Sequence, residues 1–466
     1  MKKTLKTSCA ACIEEETVSK TFGDWDIEIP IITADKIAPL VSRLKQNIDR
    51  AHKKPVDYYL DLLCEAGKRW RDPNNKFRKD AMRVLPSITR QSKALVNHEL
   101  DQITSFLQRM TLEWILHEEL GGKNHLDEWV DHGPLHLHRQ PHGLVFHNLS
   151  GNAIIVPTIS AAMGLLTKNV NLMKVSGDEP YFGIKFTESL RDIDPEIEDE
   201  LAVAYWPGEN NEIYDALFHA GVDAAVHWGS ENSRLSIATI AAKYGTKIVI
   251  HGPKVSFEVI ESPAKKDVKQ LAHGVAIDIA EWDQNACLSP RFVFVKNGEL
   301  TAKQFARELA KGMEDVEQEL PKGNIDAGQA ADILNKRENY LLDFDIKGRG
   351  EVYSSQGTKW TVIYSEDKPK LRDINACFGR FIFLTSVKTL DEIIDFLGAL
   401  HLKPQLQIMG YNGNDLDFVD AATLNGVSHI TKPGQMGIHA PGSSHDGMFN
   451  LAQLTKVVTF QKKMTV

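Results

Sequence analysis

The first third of the chain has the hydrophobic spacing of amphipathic helices. From Ala34 to Lys53 apolar residues recur every three or four positions, and the same periodicity continues through Tyr58–Trp70 and Ala94–His117. These segments predict a mainly helical part of the fold over residues 26–133. The preceding residues 1–25 are predicted to form a mobile N-terminal tail.

Beyond about Gly143 the pattern changes to short apolar or β-branched runs that alternate with helical segments. Strands are predicted at Asn171–Val175, Leu201–Trp206, Val222–Trp228 and Lys247–His251, with helices at Glu212–Ala220 and Ser230–Tyr244. This alternation predicts a parallel βαβ sheet, which we assign to a dinucleotide-binding α/β domain over residues 151–253.

The alternation continues after His251 and predicts a second α/β domain over residues 254–450. Strands are predicted at Arg291–Val295, Arg380–Thr385 and Gln405–Met409, and helices at Asp267–Asp283, Ala302–Leu320, Asp326–Leu341 and Leu390–Leu400. The runs Glu351–Ser355 and Lys359–Tyr364 predict a hairpin inserted in this domain. The boundary between the two domains is placed near Pro253.

Composition narrows the class of protein. The 466 residues allow two to four folding units, and 54 basic against 63 acidic residues give a net charge of −9, which disfavours nucleic-acid binding. The longest apolar stretch, Ala153–Leu166, is too short and too interrupted for a bilayer span, and no signal peptide is expected. Five cysteines, an odd number, suit a reducing compartment, so we expect a cytoplasmic protein.

Cys287 is the best candidate nucleophile. It lies in the segment Asp283–Arg291, between a predicted helix and a predicted strand, where a loop residue is exposed to substrate while its flanks stay rigid. The alternative is a small buried apolar residue, the commoner role of a free cysteine. No Gly-x-Ser-x-Gly motif competes with it.

Two strand ends carry candidate phosphate-binding residues. Lys174 and Ser176 follow a predicted strand at the sheet edge where α/β proteins bind ligands, and Gly229 and Ser230 form a strand-to-helix turn with free N–H groups. The alternatives are a solvated lysine and a simple helix N-cap.

Together these segments resemble the aldehyde dehydrogenase superfamily, and within it the LuxC-like acyl-CoA and acyl-protein reductases that supply fatty aldehyde to bacterial luciferase. Pro180 lies 6 residues after Lys174, and Gly229 lies 55 residues after Lys174. Cys287 lies 58 residues after Gly229. The segments that look specifically LuxC-like are Gln284–Arg291, Gly151-Asn152 and His445-Asp446-Gly447. The resemblance implies an aldehyde dehydrogenase-like fold of two doubly wound α/β domains with a small β oligomerisation arm.

The resemblance also implies roles for individual residues. Cys287 would be the nucleophile, and the Asn152 amide would share an oxyanion hole with the Cys287 N–H. The implied cofactor contacts are Lys174 and Ser176 at the adenosine ribose, Pro207 and Gly208 at the adenine, and Gly229 and Ser230 at the pyrophosphate.

Three departures from the family pattern refine this picture. Gly177 replaces the glutamate that grips the ribose 2′-OH in NAD-preferring members, which favours NADPH unless Asp178 or Glu179 turns inward. His251 replaces the glutamate that activates water in hydrolytic members, so a thioester on Cys287 should survive, and His251 is either a base or a hydrogen-bonded structural residue. Asn375 stands in for the glutamate that holds the nicotinamide ribose.

Other cysteines and histidines are assigned no chemistry. Cys9 and Cys12 form a lone C-x2-C pair that we interpret as surface thiols, and Cys377 is expected to be a small buried residue beside the cofactor. The histidines of the tract 132–142 are separated by prolines and glycines, and His429, His439 and His445 are widely spaced, so no metal is predicted.

These observations lead to a function hypothesis. The chain would reduce a fatty acyl thioester, acyl-CoA or acyl-protein, to aldehyde with NADPH through a Cys287 acyl-enzyme. One alternative is an NAD(P)-dependent aldehyde dehydrogenase producing acid or acyl-CoA with His251 as base. An alternative of another class is an acyl-carrying scaffold for a synthetase partner.

Partners are expected as well. An acyl-protein synthetase or an acyl carrier would deliver the acyl group. The arm, residues 134–150, is expected to pair across a dimer through Leu135–Phe146 with Lys456–Phe460 of the C-terminal arm strand, residues 451–466, which predicts a homo-oligomer.

Overall fold

The computed structural model describes residues 1–4, 16–208, 210–375, 378–438 and 440–462. Its first three strands form a small sheet in the order β1-β3-β2, with bounds β1 Lys2–Thr4, β2 Thr17–Phe22 and β3 Trp25–Pro30. Alternate residues of β3, Trp25, Ile27 and Ile29, are buried in the helical core. The described part of residues 1–25, expected to be a mobile tail, is therefore paired into a sheet, which corrects that expectation.

Seven helices follow within the fully described stretch 34–127. They are α1 Ala34–Lys45, α2 Ile48–Lys53, α3 Val56–Arg71, α4 Lys76–Thr89, α5 Lys93–Phe106, α6 Arg109–Leu120 and α7 Asn124–Asp127. The segments Ala34–Lys53 and Ala94–His117, each predicted as one helix, are both divided in two. Helix α4 was not predicted, and it accommodates Pro86 in its last turn.

A five-stranded parallel sheet forms the first α/β domain, in the order β10-β9-β6-β7-β8. Two strands of the arm, β4 Val130–His132 and β5 Leu135–Pro141, precede this domain. The elements of the domain are β6 Leu144–Asn148, α8 Ile155–Leu166, β7 Val170–Lys174, α9 Tyr181–Arg191, a 3₁₀ turn Pro195–Asp199, β8 Leu201–Ala204, α10 Asn211–His219, β9 Ala224–Trp228, α11 Glu231–Lys243 and β10 Lys247–His251. The parallel βαβ sheet is as predicted. β6 is its central strand, although the sequence placed these residues in the arm, because a fully buried strand has no polar alternation to mark it.

The second α/β domain contains a seven-stranded sheet in the order β13-β14-β15-β12-β11-β16-β17, parallel except for β13. Its elements are β11 Val255–Glu261, α12 Val268–Ala280, a 3₁₀ turn Glu281–Gln284, β12 Pro290–Lys296, α13 Ala302–Glu319, α14 Ala327–Lys347, β13 Gly350–Ser354, β14 Thr361–Ser365, α15 Leu371–Asn375, β15 Phe381–Val387, α16 Asp391–Ala399, β16 Leu406–Tyr411, α17 Leu416–Leu424 and β17 His429–Thr431. The predicted hairpin exists as β13 and β14, and it extends the edge of this sheet. Strand β11, next to β12, was not predicted.

The chain ends with α18 Asn450–Gln453 and β18 Thr455–Gln461, which complete the arm. β18 pairs with β5 of the same chain over seven residues, from Thr455 opposite Pro141 to Gln461 opposite Leu135. The expectation that these two segments pair across a dimer is therefore wrong for this chain, since their pairing is satisfied internally.

Both large sheets are covered by apolar side chains on each face, as parallel sheets require. In β6, Val145 packs into the core shared with α3–α6, α8 and α9, while Leu144 and Phe146 pack into a second core with α1 and α10. Two further cores cover the faces of the seven-stranded sheet. Among the described residues, no helix combines the length and the apolar character needed to cross a membrane.

Candidate active site

A cavity of about 1530 Å³ separates the C-terminal edge of the five-stranded sheet from the N-terminal ends of β11 and β12. Of the ten predicted site residues, it is lined by the following eight: Cys287, Asn152, His251, Lys174, Ser176, Gly208, Gly229 and Ser230. A cleft at the carboxyl ends of parallel strands is where open α/β sheets bind ligands. The structure therefore assembles most of the predicted residues around one space.

The loop that carries Cys287 is tightly constrained. The three residues Trp282, Asp283 and Gln284 all have positive φ, at 52°, 52° and 63°, a conformation that non-glycine residues adopt only when their surroundings enforce it. The Gln284 amide nitrogen donates to the carbonyls of Pro290 at 2.8 Å and Phe381 at 3.0 Å, and its oxygen accepts from the Phe381 N–H. The side chain thus ties the loop to β12 and β15.

A buried ion-pair network stabilises the loop that carries Cys287. Arg380, itself at φ 62°, donates to Asp283 at 2.8 Å and to Glu317 at 3.0 Å, and all three side chains are largely withdrawn from solvent. The second Asp283 oxygen accepts from the Gly323 N–H at 3.0 Å. A buried charge needs such partners, so the network fixes the entry to the Cys287 loop.

Cys287 lies half-buried at the cavity wall, and its carbonyl accepts a hydrogen bond from Ser256 at 2.8 Å. Burial raises the pKa of the Cys287 thiol to about 11, the Asp446 carboxylate raises it further, and the Gln407 side chain and the Arg291 charge lower it. At neutral pH the thiol therefore keeps its proton until a base removes it.

Asn152 bridges two segments of the site. Its side-chain nitrogen donates to the carbonyl of Asn285, two residues before Cys287, at 3.3 Å. It stands just before α8, whose first N–H, at Ile155, donates to the buried Glu99 carboxylate at 3.1 Å. Burial raises the pKa of Glu99 to about 7. Asn152 is exposed at the cavity mouth, and its amide has a second N–H to offer.

His251 belongs to a polar cluster that the sequence did not reveal. Its Nδ1 is 2.9 Å from Asp446 Oδ2, and the potential ligand atoms of His251, His445 and Asp446 all lie within 4.8 Å of one another. His445 and Asp446 are the His-Asp pair quoted in the LuxC-like closing motif, but nothing local marks them as neighbours of residue 251. Because His251 is already hydrogen-bonded to Asp446, we interpret the cluster as a hydrogen-bonded network, and the absence of a metal stays a prediction.

Lys174 and Ser230 define the other side of the cavity. Lys174 ends β7 with 5% of its surface exposed, forms no ion pair within the described residues, and has a pKa lowered to about 8 by burial. Ser230 caps α11 by accepting from the Ser233 N–H at 3.4 Å, so the predicted N-cap is present and the helix N-terminus opens on the cavity. A side chain on Gly229 would meet His227 and Ser233 at 3.0 Å.

Lys20 of the N-terminal sheet lies beside Gly177, the position at which NAD-preferring members of the superfamily carry a glutamate. The Lys20 ammonium donates to the Gly177 carbonyl at 3.0 Å and lies 5.6 Å from the centre of the Tyr205 ring. Glu179 turns away and accepts from the first N–H groups of α9, at Tyr181 and Phe182, at 2.9 and 2.8 Å. The Lys20 ammonium therefore lies beside Gly177, while Asp178 remains an exposed carboxylate in the cavity lining, near Lys174.

An apolar section of the cavity extends from Cys287 along α8. It is lined by Phe106 and Ile115 of the helical region, by Ile159, Met163 and Leu166 of α8, and by Leu451 of α18. Twelve residues of α helix span about 18 Å. Glu119 lies in this section, accepts from the Leu451 N–H at 2.6 Å, and has its pKa raised to about 7 by burial.

Comparison with known proteins identifies the family. Residues 51–457 match the model of the family described as acyl-CoA reductase (LuxC). The chain belongs to this acyl-CoA reductase family. The family and the oxidoreductase class predicted from the sequence are thereby confirmed. A long-chain acyl-protein thioester reductase of Aliivibrio fischeri is 26% identical over 450 residues, covering 95% of this chain and 89% of the relative.

Solved structures confirm the aldehyde dehydrogenase-like fold of this LuxC-family chain. A lactaldehyde dehydrogenase superposes with a TM-score of 0.69 at 15% identity, over 96% of this chain and 96% of its own. An NADP dependent enzyme of E. coli superposes with a TM-score of 0.72 at 14% identity, over 96% of this chain and 94% of its own.

Two predicted residues of the LuxC-family site lie elsewhere. Pro207 and Asn375 are both exposed and do not line the cavity. In the turn Trp206-Pro207-Gly208, it is Gly208 and not Pro207 that lines the cavity. Asn375 is the last residue of α15, and the next two residues, 376–377, lie outside the described part of the chain. Cys9, Cys12, Cys377 and His439 also lie outside the described residues.

Three residues near the site, Lys20, Gln407 and Asp446, were given no role from the sequence. Lys20 stands in a segment taken for a tail, although the alternating pattern of β2 and β3 was a usable sign of a sheet. Gln407 lies in β16 and Asp446 follows β17, both far from Cys287 along the chain, and no local pattern indicates that they meet.

Proposed function

We propose that this chain is a fatty acyl thioester reductase that takes an acyl group onto Cys287 and releases it as aldehyde, with NADPH as the reductant. The observation that carries the proposal is the position of Cys287 between two unlike parts of one cavity. On one side lie the strand ends with Lys174 and Ser230, and on the other lies the apolar section along α8. A thioester with a long acyl tail and a dinucleotide need such neighbours.

The chain's own residues account for the acyl-transfer half of the reaction. The Cys287 sulfur attacks the thioester carbonyl, and the oxyanion receives hydrogen bonds from the Asn152 amide and a backbone N–H. The apolar side chains of α8 hold the acyl tail out of water. A bound NADPH would supply the hydride that converts the acyl group to aldehyde.

The carboxylate near the site is not free to activate water. Asp446 accepts from Gln407 through one oxygen at 2.8 Å and is bonded to His251 through the other at 2.9 Å. Since both of its oxygens are engaged, the Asp446 carboxylate is held by partners and is not free to act as a base for water beside the acyl-enzyme. This supports reduction over hydrolysis.

The experiment is NADPH consumption with a panel of acyl-CoA lengths and aldehyde trapping. Wild-type protein should oxidise NADPH and release one aldehyde for each NADPH consumed, with longer chains preferred. Cys287→Ala should abolish the reaction, whereas Cys64→Ala, a half-buried cysteine outside the cavity, should not. Unchanged turnover in Cys287→Ala would refute the proposal.

We also propose that the dinucleotide lies across Lys174, Ser176, Gly208 and the Gly229-Ser230 turn. The fit is supported by the N-terminus of α11, which offers N–H groups to phosphate, and by the buried Lys174 ammonium with no ion-pair partner among the described residues. Gly229 leaves room for close approach, because a Cβ there would crowd His227 and Ser233.

NADPH is favoured over NADH by the charge beside Gly177. Lys20 brings an ammonium to the place where NAD-preferring members of the wider superfamily have a carboxylate, and Glu179 is occupied in capping α9. Lys20→Ala should raise the KM for NADPH about tenfold, which corresponds to losing one charge-assisted contact, and leave that for NADH nearly unchanged. Lys243→Ala, an exposed lysine on the far end of α11, is the matched control. Equal effects on the two cofactors would contradict the assignment.

The aldehyde dehydrogenase alternative keeps one supporting observation. His251 Nε2 has no hydrogen-bond partner among the described residues, so it is available as a base for water. Incubation with aldehyde and NADP without a thiol acceptor separates the two functions. Accumulation of carboxylic acid at the rate of NADPH formation would favour oxidation, and no acid is expected from a reductase.

The arm supports a homo-oligomer. Although β18 pairs within the chain, it lies at the edge of its sheet and exposes Val457 and Phe460, beside the half-exposed Trp129. Exposed apolar residues on a sheet edge need a cover. Val457→Lys should convert the oligomer to monomer in light scattering, and a wild-type monomer would contradict the proposal.

A further inference from the structure

The ring of His251 is fixed in one orientation by three neighbours. Its Nδ1 is 2.9 Å from Asp446 Oδ2, and its face stacks on Trp228 with centroids 4.0 Å apart and planes inclined by 21°. The ring of His445 meets it at 4.9 Å and 70°. Only 3% of the His251 side chain and 4% of the Asp446 side chain are exposed.

This arrangement sets the tautomer of the neutral imidazole. An ionised carboxylate only accepts hydrogen bonds, so Nδ1 carries the proton and Nε2 carries the lone pair. Nε2 is buried and has no partner among the described residues. His251 and Cys287 line the same cavity, and Asp446, which is bonded to His251, also acts electrostatically on Cys287.

Asp446 is itself held in place. Gln407 donates to its Oδ1 at 2.8 Å, and the backbone between the paired residues His445 and Met448 gives Asp446 a φ of 53°. A non-glycine residue keeps such a conformation only when its neighbours enforce it. Burial raises the pKa of Asp446, but the hydrogen bond from His251 is the largest of the effects that lower it, and together they leave the pKa below its ordinary value.

The same groups act on the nucleophile. Asp446 contributes to the raised pKa of Cys287, whereas the Gln407 side chain lowers that pKa. Gln407 is also the hydrogen-bond donor to Asp446, so both side chains influence the nucleophile. A thiol with a pKa near 11 is poorly nucleophilic at neutral pH unless a base takes its proton.

We propose that Asp446 is a positioning residue, which holds His251 with Nε2 directed at the Cys287 thiol so that His251 serves as its general base. The inference deepens the proposed function and rests on it. In the forward step the S–H bond breaks as a proton moves to Nε2, and the sulfur forms a bond to the acyl carbon. The bond from that carbon to the first thiol then breaks, and the departing sulfur takes the proton back from Nε2.

Other titratable groups also face this site. Those interacting with His251, Asp446 or Cys287 are His227, His445, Lys254 and Arg291. Burial lowers the pKa of His227 and of His445 to about 4, so both are neutral near pH 7. His251 is the member of this group whose Nδ1 is bonded to Asp446, so we assign to it the proton transfer with Cys287.

The test is the pH dependence of iodoacetamide alkylation of Cys287, which needs neither substrate nor NADPH. The rate of Cys287→Ala is subtracted to remove the other cysteines. Asp446→Asn removes a charge that raises the pKa of Cys287, which by itself favours the thiolate. It also frees Nδ1 from its carboxylate, and the loss of a basic nitrogen fixed at Nε2 should outweigh that gain and lower the alkylation rate at pH 7 by about tenfold. Asp446→Glu should recover part of the rate, and Asp420→Asn, an exposed residue of α17, should leave it unchanged.

A double substitution guards against a merely structural effect. If Asp446 acts through His251, Asp446→Asn should cause no further loss in a His251→Gln background, whereas independent sites would add their effects. Gln407→Met should give an intermediate loss at pH 7 without altering the rate at pH 11, where the thiol ionises by itself. Circular dichroism should show the wild-type fold for each variant.

The outcomes separate this inference from the proposed function. If Asp446→Asn lowers the alkylation rate at pH 7 while the wild-type protein shows no acyl reduction, the result would support the Asp446 role and refute the reductase. A working reductase whose Asp446→Asn variant keeps the wild-type alkylation profile would overturn the positioning role. Additive losses in the double variant would overturn it as well.

Discussion

The two sides of the cavity are built in different ways. On the dinucleotide side, Lys174, Gly208 and the Gly229-Ser230 turn come from successive strand ends of one sheet. On the nucleophile side, Cys287 is surrounded by side chains from segments more than 100 residues apart, among them Asn152 and Asp446. A sheet edge lets a short motif specify a site, whereas the nucleophile's surroundings exist only after both domains have folded.

The two sides also differ in how their charges are paired. Asp283, Arg380 and Asp446 on the nucleophile side are engaged by partners at hydrogen-bonding distance. Lys20 and Lys174 on the other side have no ion pair within the described residues. Paired buried charges give rigidity, while unpaired cations are ready for an anionic ligand.

The largest expected effect comes from breaking the paired side. Arg380→Met removes the buried cation between Asp283 and Glu317. Although Glu317 keeps Lys359 at 3.3 Å, Asp283 loses its ion-pair partner, which should lower the free energy of unfolding by about 3–5 kcal/mol. Urea denaturation measures this loss. Arg372→Met removes an exposed arginine of α15 and should change stability by less than about 1 kcal/mol. Equal losses in the two variants would mean that the network does not hold the loop.

The next effect separates chemistry from cofactor binding. Asn152→Ala should lower kcat by about 10²–10³, because one donor to the oxyanion is lost, and should leave the KM for NADPH unchanged. Steady-state kinetics with acyl-CoA measures both constants. Asn47→Ala, at the half-buried start of α2, is the control. A rise in the KM for NADPH at unchanged kcat would show that Asn152 acts in binding the dinucleotide and not at the oxyanion.

The smallest expected effect concerns the apolar section of the cavity along α8. Because burial raises the pKa of Glu119 to about 7, the folded protein binds its proton more tightly than the unfolded chain, and stability should fall as the pH rises from about 4.5 to 7. Glu119→Gln keeps an acceptor for the Leu451 N–H without the charge. It should stabilise the protein by about 1–3 kcal/mol at pH 8 and not at pH 4. A pH-independent change would show that this section is hydrated.

The sequence predicted the fold and named eight residues that line the cavity, because the order of its segments follows the family pattern. Strand ends, a Gly-Ser turn and a cysteine loop keep their positions along the chain, so the resemblance to the family could place Lys174, Ser230 and Cys287 at one site. β6 could not be assigned to the sheet, since its fully buried residues carry no alternation. Lys20 and Asp446 could not be placed at all, because their neighbours are chosen by tertiary packing.

The central claim is that Cys287 carries the acyl group. Intact-protein mass spectrometry after incubation with a long-chain acyl-CoA, in the absence of NADPH, tests it directly. The wild type should gain the mass of one acyl group, mapped by peptide digestion to Cys287 and removed when NADPH is added, and Cys287→Ala should gain none. An adduct of the same size and stoichiometry in Cys287→Ala, or one that NADPH leaves in place, would contradict the account.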